Sequence, residues 1–146
     1  MSDEIKQKII DYLASHNWLN LGTVDKNGNP IVHTMMYVSD GAVVYFGTGK
    51  DTRKAVNMLN NSNVAYTVDD DELQLMEITG IQMEGKASIV TDEAEAGKAF
   101  QLMLEKFPFV ADMPVANDEI LVKVEPATAY YLDYTKGLGY RDMVSY

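Results

Sequence analysis

The chain has 146 residues, with 12 Lys and Arg against 22 Asp and Glu, a formal charge of −10, 47% hydrophobic residues and no cysteine. That length and apolar content suffice for a core without disulfides or a structural zinc, and they exclude a solvated coil. The charge repels the phosphate backbone of nucleic acids, and no apolar run approaches the roughly 20 residues of a membrane helix, so neither nucleic acid nor membrane is expected as a partner.

The first element is a helix over 3–15, where Ile5, Ile9, Tyr12 and Leu13 share one side and Asp3 and Glu4 sit in the first turn, favoured there by the helix dipole. Its acidic beginning, MSDEIKQKII, lacks the basic-then-apolar pattern of a secretory signal, so cytoplasm is the expected compartment. From Trp18 the period falls to two. WLNLGTV, PIVHTMMYV and AVVYFGT read as three strands joined by the turns KNGNP and SDG, and such short turns impose antiparallel pairing. A second helix runs from Asp51, its expected cap, to about Asn60, with Ala55, Val56 and Leu59 facing inward. NVAYTVD is the next strand, followed by an acidic bend at 69–72. Residues 74–90 make one bent strand or two, with Gly80 and Gly85 at bulges or close approaches. Asp92 and Glu95 have capping-box spacing for a third helix, which buries Ala99, Phe100, Met103, Leu104 and Phe107 and stops at Pro108. An irregular stretch over 108–118 leads to the strand EILVKVEPATAYYLDY and a glycine-interrupted tail, KGLGYRDMVSY. About six mostly antiparallel strands with three dispersed helices predict one domain over 1–146, mainly β, forming a closed or partly closed barrel.

Chemistry first shows in the charge distribution. Lys50, Arg53 and Lys54 fall within five positions, whereas residues 55–85 contain six acids and no base. The cluster lies in YFGTGKDTRKA, where a strand ends at Thr48 between two glycines and a helix begins near Asp51 and Thr52. Small residues admit a ligand to backbone N–H groups, the helix start adds partial positive charge, and each cationic side chain adds a charge-assisted hydrogen bond worth about 1.5–3 kcal/mol. This combination suits a phosphate. The spacing is neither a Walker loop nor GxGxxG, so no nucleoside triphosphate or dinucleotide is indicated, and side chains snorkelling over a sheet account for the cluster without any ligand.

Taken together, the opening helix, the hairpin WLNLGTVDKNGNPIVHTMMYV and the run VVYFGTGKDTRKAVNMLNNSNVAYTV resemble the pyridoxamine 5′-phosphate oxidase-like family of FMN-binding split barrels. The likeness is good over residues 5–90 and looser beyond. It implies an antiparallel split β-barrel with flanking helices whose FMN phosphate is held by Thr48, Thr52, Arg53 and Lys54, with Lys50 adding charge. Where the family often carries Arg, three residues past the Pro of the preceding turn, this chain has His33; Thr34, Met35 and Met36 follow as the positions that line the ring. The resemblance also implies a homodimer with flavin sites at the interface and a small-molecule substrate or electron donor. The true oxidase grips its substrate's phosphate with basic and aromatic residues late in its chain. Residues 107–146 here hold only Lys123, Lys136 and Arg141 as bases and no His, which argues against vitamin B6 oxidation. The family's fifth-strand glutamine aligns with Gly80, and Gln82 is expected to face the other way unless a bulge intervenes. Tyr140 and Arg141 in the tail are the candidates for a wall against the exposed ring face, a solvated strand edge being the plainer account of them. The expected function is therefore an FMN-dependent oxidoreductase of unidentified substrate; the alternative is a non-catalytic flavin-binding or haem-binding, redox-sensing protein.

The remaining signals have plain accounts. His33 alternates with Ile31, Met35 and Tyr37 on one strand face, where a structural histidine is common. His16 suits a contact with a helix C-terminus. Asp69, Asp70, Asp71 and Glu72 lack the turn and oxygen spacing of a calcium loop, and two histidines without cysteine give no metal spacing. No nucleophile elbow or ordered triad is present.

Overall fold

The computed structural model describes residues 1–114 and 117–146. Helix α1 (Ser2–Ser15) leads into strands β1 (Trp18–Val24), β2 (Pro30–Met36), β3 (Val38–Asp40) and β4 (Val43–Gly49), then α2 (Arg53–Asn60) and β5 (Asn63–Asp69). After a 3-10 turn at Leu75–Glu77 come β6 (Thr79–Ile89), α3 (Glu93–Lys106), a 3-10 turn at Pro108–Asp112, β7 (Glu119–Asp133), a 3-10 turn at Tyr134–Lys136 and β8 (Arg141–Ser145). Of the expected irregular stretch, positions 115 and 116 lie outside the described residues.

Among the described residues, eight strands form one antiparallel sheet in the order β2-β1-β5-β6-β7-β4-β3, with β8 added on β7. The two ends of this order, β2 and β3, are separated in the chain by Tyr37 alone. Met36 and Val38 are two Cα steps apart, at most about 7.6 Å, so the two margins of the sheet must come together at that corner. This covalent constraint curls the sheet into a half-barrel. Tyr37 is fully buried; its N–H donates to the Asn17 carbonyl at 3.3 Å and its hydroxyl to the Leu13 carbonyl at 2.6 Å. The run PIVHTMMYV is thus two strands, where the sequence reads as one, because the chain pairs with β1 up to Met36 and with β4 from Val38 onward.

The curled sheet encloses one core, in which Leu19 and Leu21 of β1, Phe46 of β4, Val68 of β5, Ile81 and Met83 of β6 and Val122 of β7 meet Ile9 and Leu13 of α1. Burying an aliphatic side chain of this kind contributes about 1.5–3 kcal/mol. A second, smaller core lies under α3, where Ala99 and Phe107 meet Val38, Tyr45 and Val90. Phe100, expected inward, is instead 52% exposed, because the buried side of α3 follows Ala99. On α2 the expected inward face is also displaced. Ala55 and Met58 are buried, whereas Val56 and Leu59 are exposed, since Asn57 turns inward and its Nδ2 donates to the buried Thr23 hydroxyl at 3.1 Å.

Gly85 marks a close approach, since a Cβ there would sit 2.6 Å from the Glu125 carbonyl oxygen. Opposite it the register skips Ala127, so the irregularity lies on β7. The tail is a strand: Gly137 and Gly139, at φ 142° and 76°, let the chain reverse and lay β8 along β7. No described helix is long and apolar enough to cross a membrane.

Candidate functional site

The cationic segment lies where β4 hands over to α2. Thr48, near the end of β4, is buried, with its Oγ1 3.2 Å from Thr52 Oγ1. Thr52, one residue later than the expected Asp51, caps the helix: its hydroxyl accepts from the Ala55 N–H at 3.3 Å and donates to the Gly49 carbonyl at 2.8 Å. The cap shifts because a threonine one turn before Ala55 also reaches Thr48, while Asp51 stays exposed in the turn. The first intrahelical bond is Val56 N–H to the Thr52 carbonyl, so the N–H groups of Arg53 and Lys54 have no partner within α2. Two backbone donors, two cationic side chains and a threonine hydroxyl thus converge on one helix start. Lys50 is exposed, its N–H bonded to the Asp118 carbonyl at 2.8 Å.

Strand β2 alternates, with Ile31, His33 and Met35 partly buried and Val32 and Thr34 exposed. His33 therefore stands on the inner side of the sheet, opposite Leu21 of β1, on a margin where β2 has no further strand beyond it. The start of α2 faces this margin. Desolvation holds the His33 imidazole below its ordinary pKa, and the positive charges of Lys54 and then Arg53 lower it further. His33 Nδ1 is buried and has no hydrogen-bond partner among the described residues. An orphaned ring nitrogen beside two cations is an electrostatic deficit that an anion would relieve. A cleft of about 300 Å³ beside the start of α2 is lined by Asp25, Ile31, Asp51, Arg53, Val56 and Asn57, with Ile31 on the same strand face as His33. Asp25 is engaged in its own turn, accepting from the N–H groups of Asn29 and Asn27 at 2.9 and 2.8 Å, and the Asn29 bond first lowers its carboxyl below the usual range.

Thr34 and Met36 belong to different surroundings from His33. Thr34 faces outward and donates to Asn20 Oδ1 at 3.2 Å, Met35 packs on the main core and Met36 on the smaller one. Thr34 begins a row that crosses six strands in register: Thr34, Asn20, Thr67, Gln82, Tyr130 and Met143. A groove of about 390 Å³ runs along this outer face. Gln82 shares the face with Gly80, being two residues away, and points outward with no bulge on its own strand, contrary to the expectation. The tail joins the row. Arg141 lies over the Tyr130 ring at 4.2 Å and donates to Gln82 Oε1 at 3.2 Å, whereas Tyr140 is exposed and donates to Asp142 at 3.1 Å. Asn20, Thr67, Gln82 and Tyr130 were not legible as a group, because only strand register aligns them.

Other titratable groups have structural partners. His16 stacks on Tyr12 at 3.8 Å, its Nδ1 lies 2.8 Å from the Tyr12 carbonyl in the last turn of α1, and its Nε2 is 2.9 Å from Asp70. Lys123 contacts Glu95 at 3.2 Å, and Glu95 also accepts from the buried Tyr45 hydroxyl at 2.8 Å. Among the described residues no group of three potential metal ligands occurs.

The family model for pyridoxamine 5′-phosphate oxidase matches residues 5–133. General stress protein 26 of Bacillus subtilis (strain 168) is 31% identical over 123 residues, covering 84% of each chain. Among solved structures, General Stress Protein 26 from Bacillus anthracis matches with a TM-score of 0.72 at 23% identity, over 98% of this chain and 99% of that one. The haem storage protein from Vibrio cholerae matches with a TM-score of 0.70 at 24% identity, over 82% of this chain and 88% of that one. These two structural likenesses show the fold.

Proposed function

The chain belongs to the pyridoxamine 5′-phosphate oxidase family, and on that premise we propose that it is a homodimeric FMN-binding protein acting as a flavin-dependent oxidoreductase on a small molecule. The observation that carries this reading is the gathering, at the start of α2, of two backbone N–H groups without a partner in the helix, the cations Arg53 and Lys54 whose charges act on His33, and the Thr48 and Thr52 hydroxyls. This donor set fits a phosphate monoester: the helix start offers hydrogen-bond donors and positive charge beside a buried nitrogen that has no partner among the described residues, while the carboxylates of Asp25 and Asp51 line the adjoining cleft. Arg53 and Lys54 bind the phosphate, Thr48 and the helix N–H groups orient it, and the β2 margin from His33 to Met36 presents backbone groups to the ring. When bound, a flavin supplies reversible uptake of a hydride or of single electrons.

A second copy covers the outer sheet face in this proposal. That face exposes Trp18, Val32 and Met143, at 58, 69 and 59%, around the polar row, and their burial would favour association.

A non-catalytic flavin or haem carrier is the second reading, favoured by one observation. Of the late bases, Lys123 is engaged by Glu95, Lys136 lies over the Tyr140 ring at 5.5 Å and Arg141 is held on Gln82, so they do not gather into a phosphate grip. Vitamin B6 oxidation is therefore not proposed. An absorption spectrum of the purified protein, with mass spectrometry of the released ligand, tests the cofactor. FMN is the expected result, and a haem spectrum or colourless protein that ignores added FMN overturns it. Bleaching by NADH or NADPH followed by reoxidation supports the enzyme; resistance to every biological donor supports the carrier.

A further inference from the structure

Resting on the phosphate reading above, we propose that His33 couples anion capture to proton uptake: its imidazole is neutral while the helix start is empty and takes a proton from solvent when a phosphate monoester dianion settles beside Arg53 and Lys54. His33 sits on the inner side of an unpaired sheet margin, its Nδ1 is buried without a partner, and the charges felt most strongly by its ring are the two cations at the start of α2. In the empty site a protonated ring would be desolvated and would face two like charges, and its ordinary pKa is lowered for those reasons. A dianion placed among the same groups offsets both cations and itself attracts the imidazolium, so the Coulombic penalty reverses sign while the desolvation penalty remains. Arginine at this position would be charged in either state, so the proton linkage is specific to histidine.

The surroundings contain little that could buffer the effect. Across the ladder is Leu21, and Ile31 and Met35 share the strand face. From α2 come Lys54 and Arg53, and the turn before it carries the exposed Lys50 and Asp51. Asp51 and Asp25 line the adjoining cleft; Asp25 is fixed in its own turn, where the Asn29 N–H holds its carboxyl below the usual range.

The sequence makes the test direct, because the chain has two histidines, His16 and His33. Histidine ring NMR of the ¹³C-labelled protein, assigned with His16→Gln, gives the His33 titration midpoint without ligand, with saturating FMN and with riboflavin. FMN is expected to raise the midpoint by one unit or more, and riboflavin to leave it in place. Each unit of rise corresponds to a tenfold linkage between proton and ligand. The FMN phosphate itself titrates near pH 6, so affinity is compared between pH 6.5 and 8.5, where it should strengthen several-fold toward the acid end. His33→Gln is expected to bind FMN with that dependence flattened. An unmoved His33 midpoint in FMN-saturated protein, or an equal rise with riboflavin, overturns the coupling while leaving the phosphate reading intact. Failure to bind FMN, or binding indifferent to Arg53 and Lys54, overturns the phosphate reading and the coupling with it.

Discussion

Lys54→Met separates a phosphate grip from a structural role for the cationic cluster. Methionine keeps most of the lysine stem's volume and removes its charge and donors. A charge-assisted hydrogen bond contributes about 1.5–3 kcal/mol, which corresponds to a loss of about 10- to 150-fold in FMN affinity. Lys54 is partly buried and close enough to His33 to lower its pKa, so solvent screens it less than the exposed Arg53. Lys54→Met should therefore fall in the upper part of that range and Arg53→Ala in the lower part. Riboflavin lacks the phosphate, so its affinity should change by less than about twofold on the same argument. Flavin fluorescence quenching at fixed ionic strength measures both ligands, and urea unfolding of the free protein should move by less than about 0.5 kcal/mol. Equal losses for FMN and riboflavin would refute the assignment, because they would mean that the substitution deforms the site instead of removing a phosphate contact.

Thr52→Ala removes the α2 cap and the bond to the Gly49 carbonyl, and is expected to cost about 0.5–2 kcal/mol in urea unfolding, with Thr52→Ser recovering most of it. Asn57→Ala strands the buried Thr23 hydroxyl and should cost about 1–3 kcal/mol, whereas Thr23→Val combined with Asn57→Leu should cost less than the sum of the separate changes. Hydrogen bonds from Tyr45 first, then Lys123, hold the Glu95 carboxyl below the usual carboxylate range. A depressed folded pKa means stability present above the unfolded value and lost as pH falls through the folded one. Glu95→Gln should therefore flatten the decline of the urea midpoint below about pH 4.5, and an unchanged acid limb would contradict the contact.

The hairpin of β1 and β2, β5 and α3 were legible because alternation, turn residues and a cap with a proline stop agree with one another over short range. The buried side of α2 was not. Its pattern favours Val56 and Leu59, and only the presence of Thr23 across the interface makes an inward Asn57 worthwhile. The glycines of the tail obscured β8 in one dimension, yet the same glycines make the reversal that produces it. At the site, the charge cluster was visible as a local excess. That the charges of Lys54 and Arg53 act on His33, some twenty residues away, depends on α2 packing against β1, the strand that pairs with β2, which no local period encodes.

The single-residue bridge at Tyr37 also decides where the molecule is able to gape. The two margins of the sheet are joined covalently at the Met36 end of β2, and among the described residues no ladder pairs β2 with β3. Near the Pro30 end of β2, Ile31 shares the walls of a cleft with Arg53 at the start of α2. Lengthening that one-residue link would loosen the closure of the sheet without altering any residue that lines the cleft beside α2.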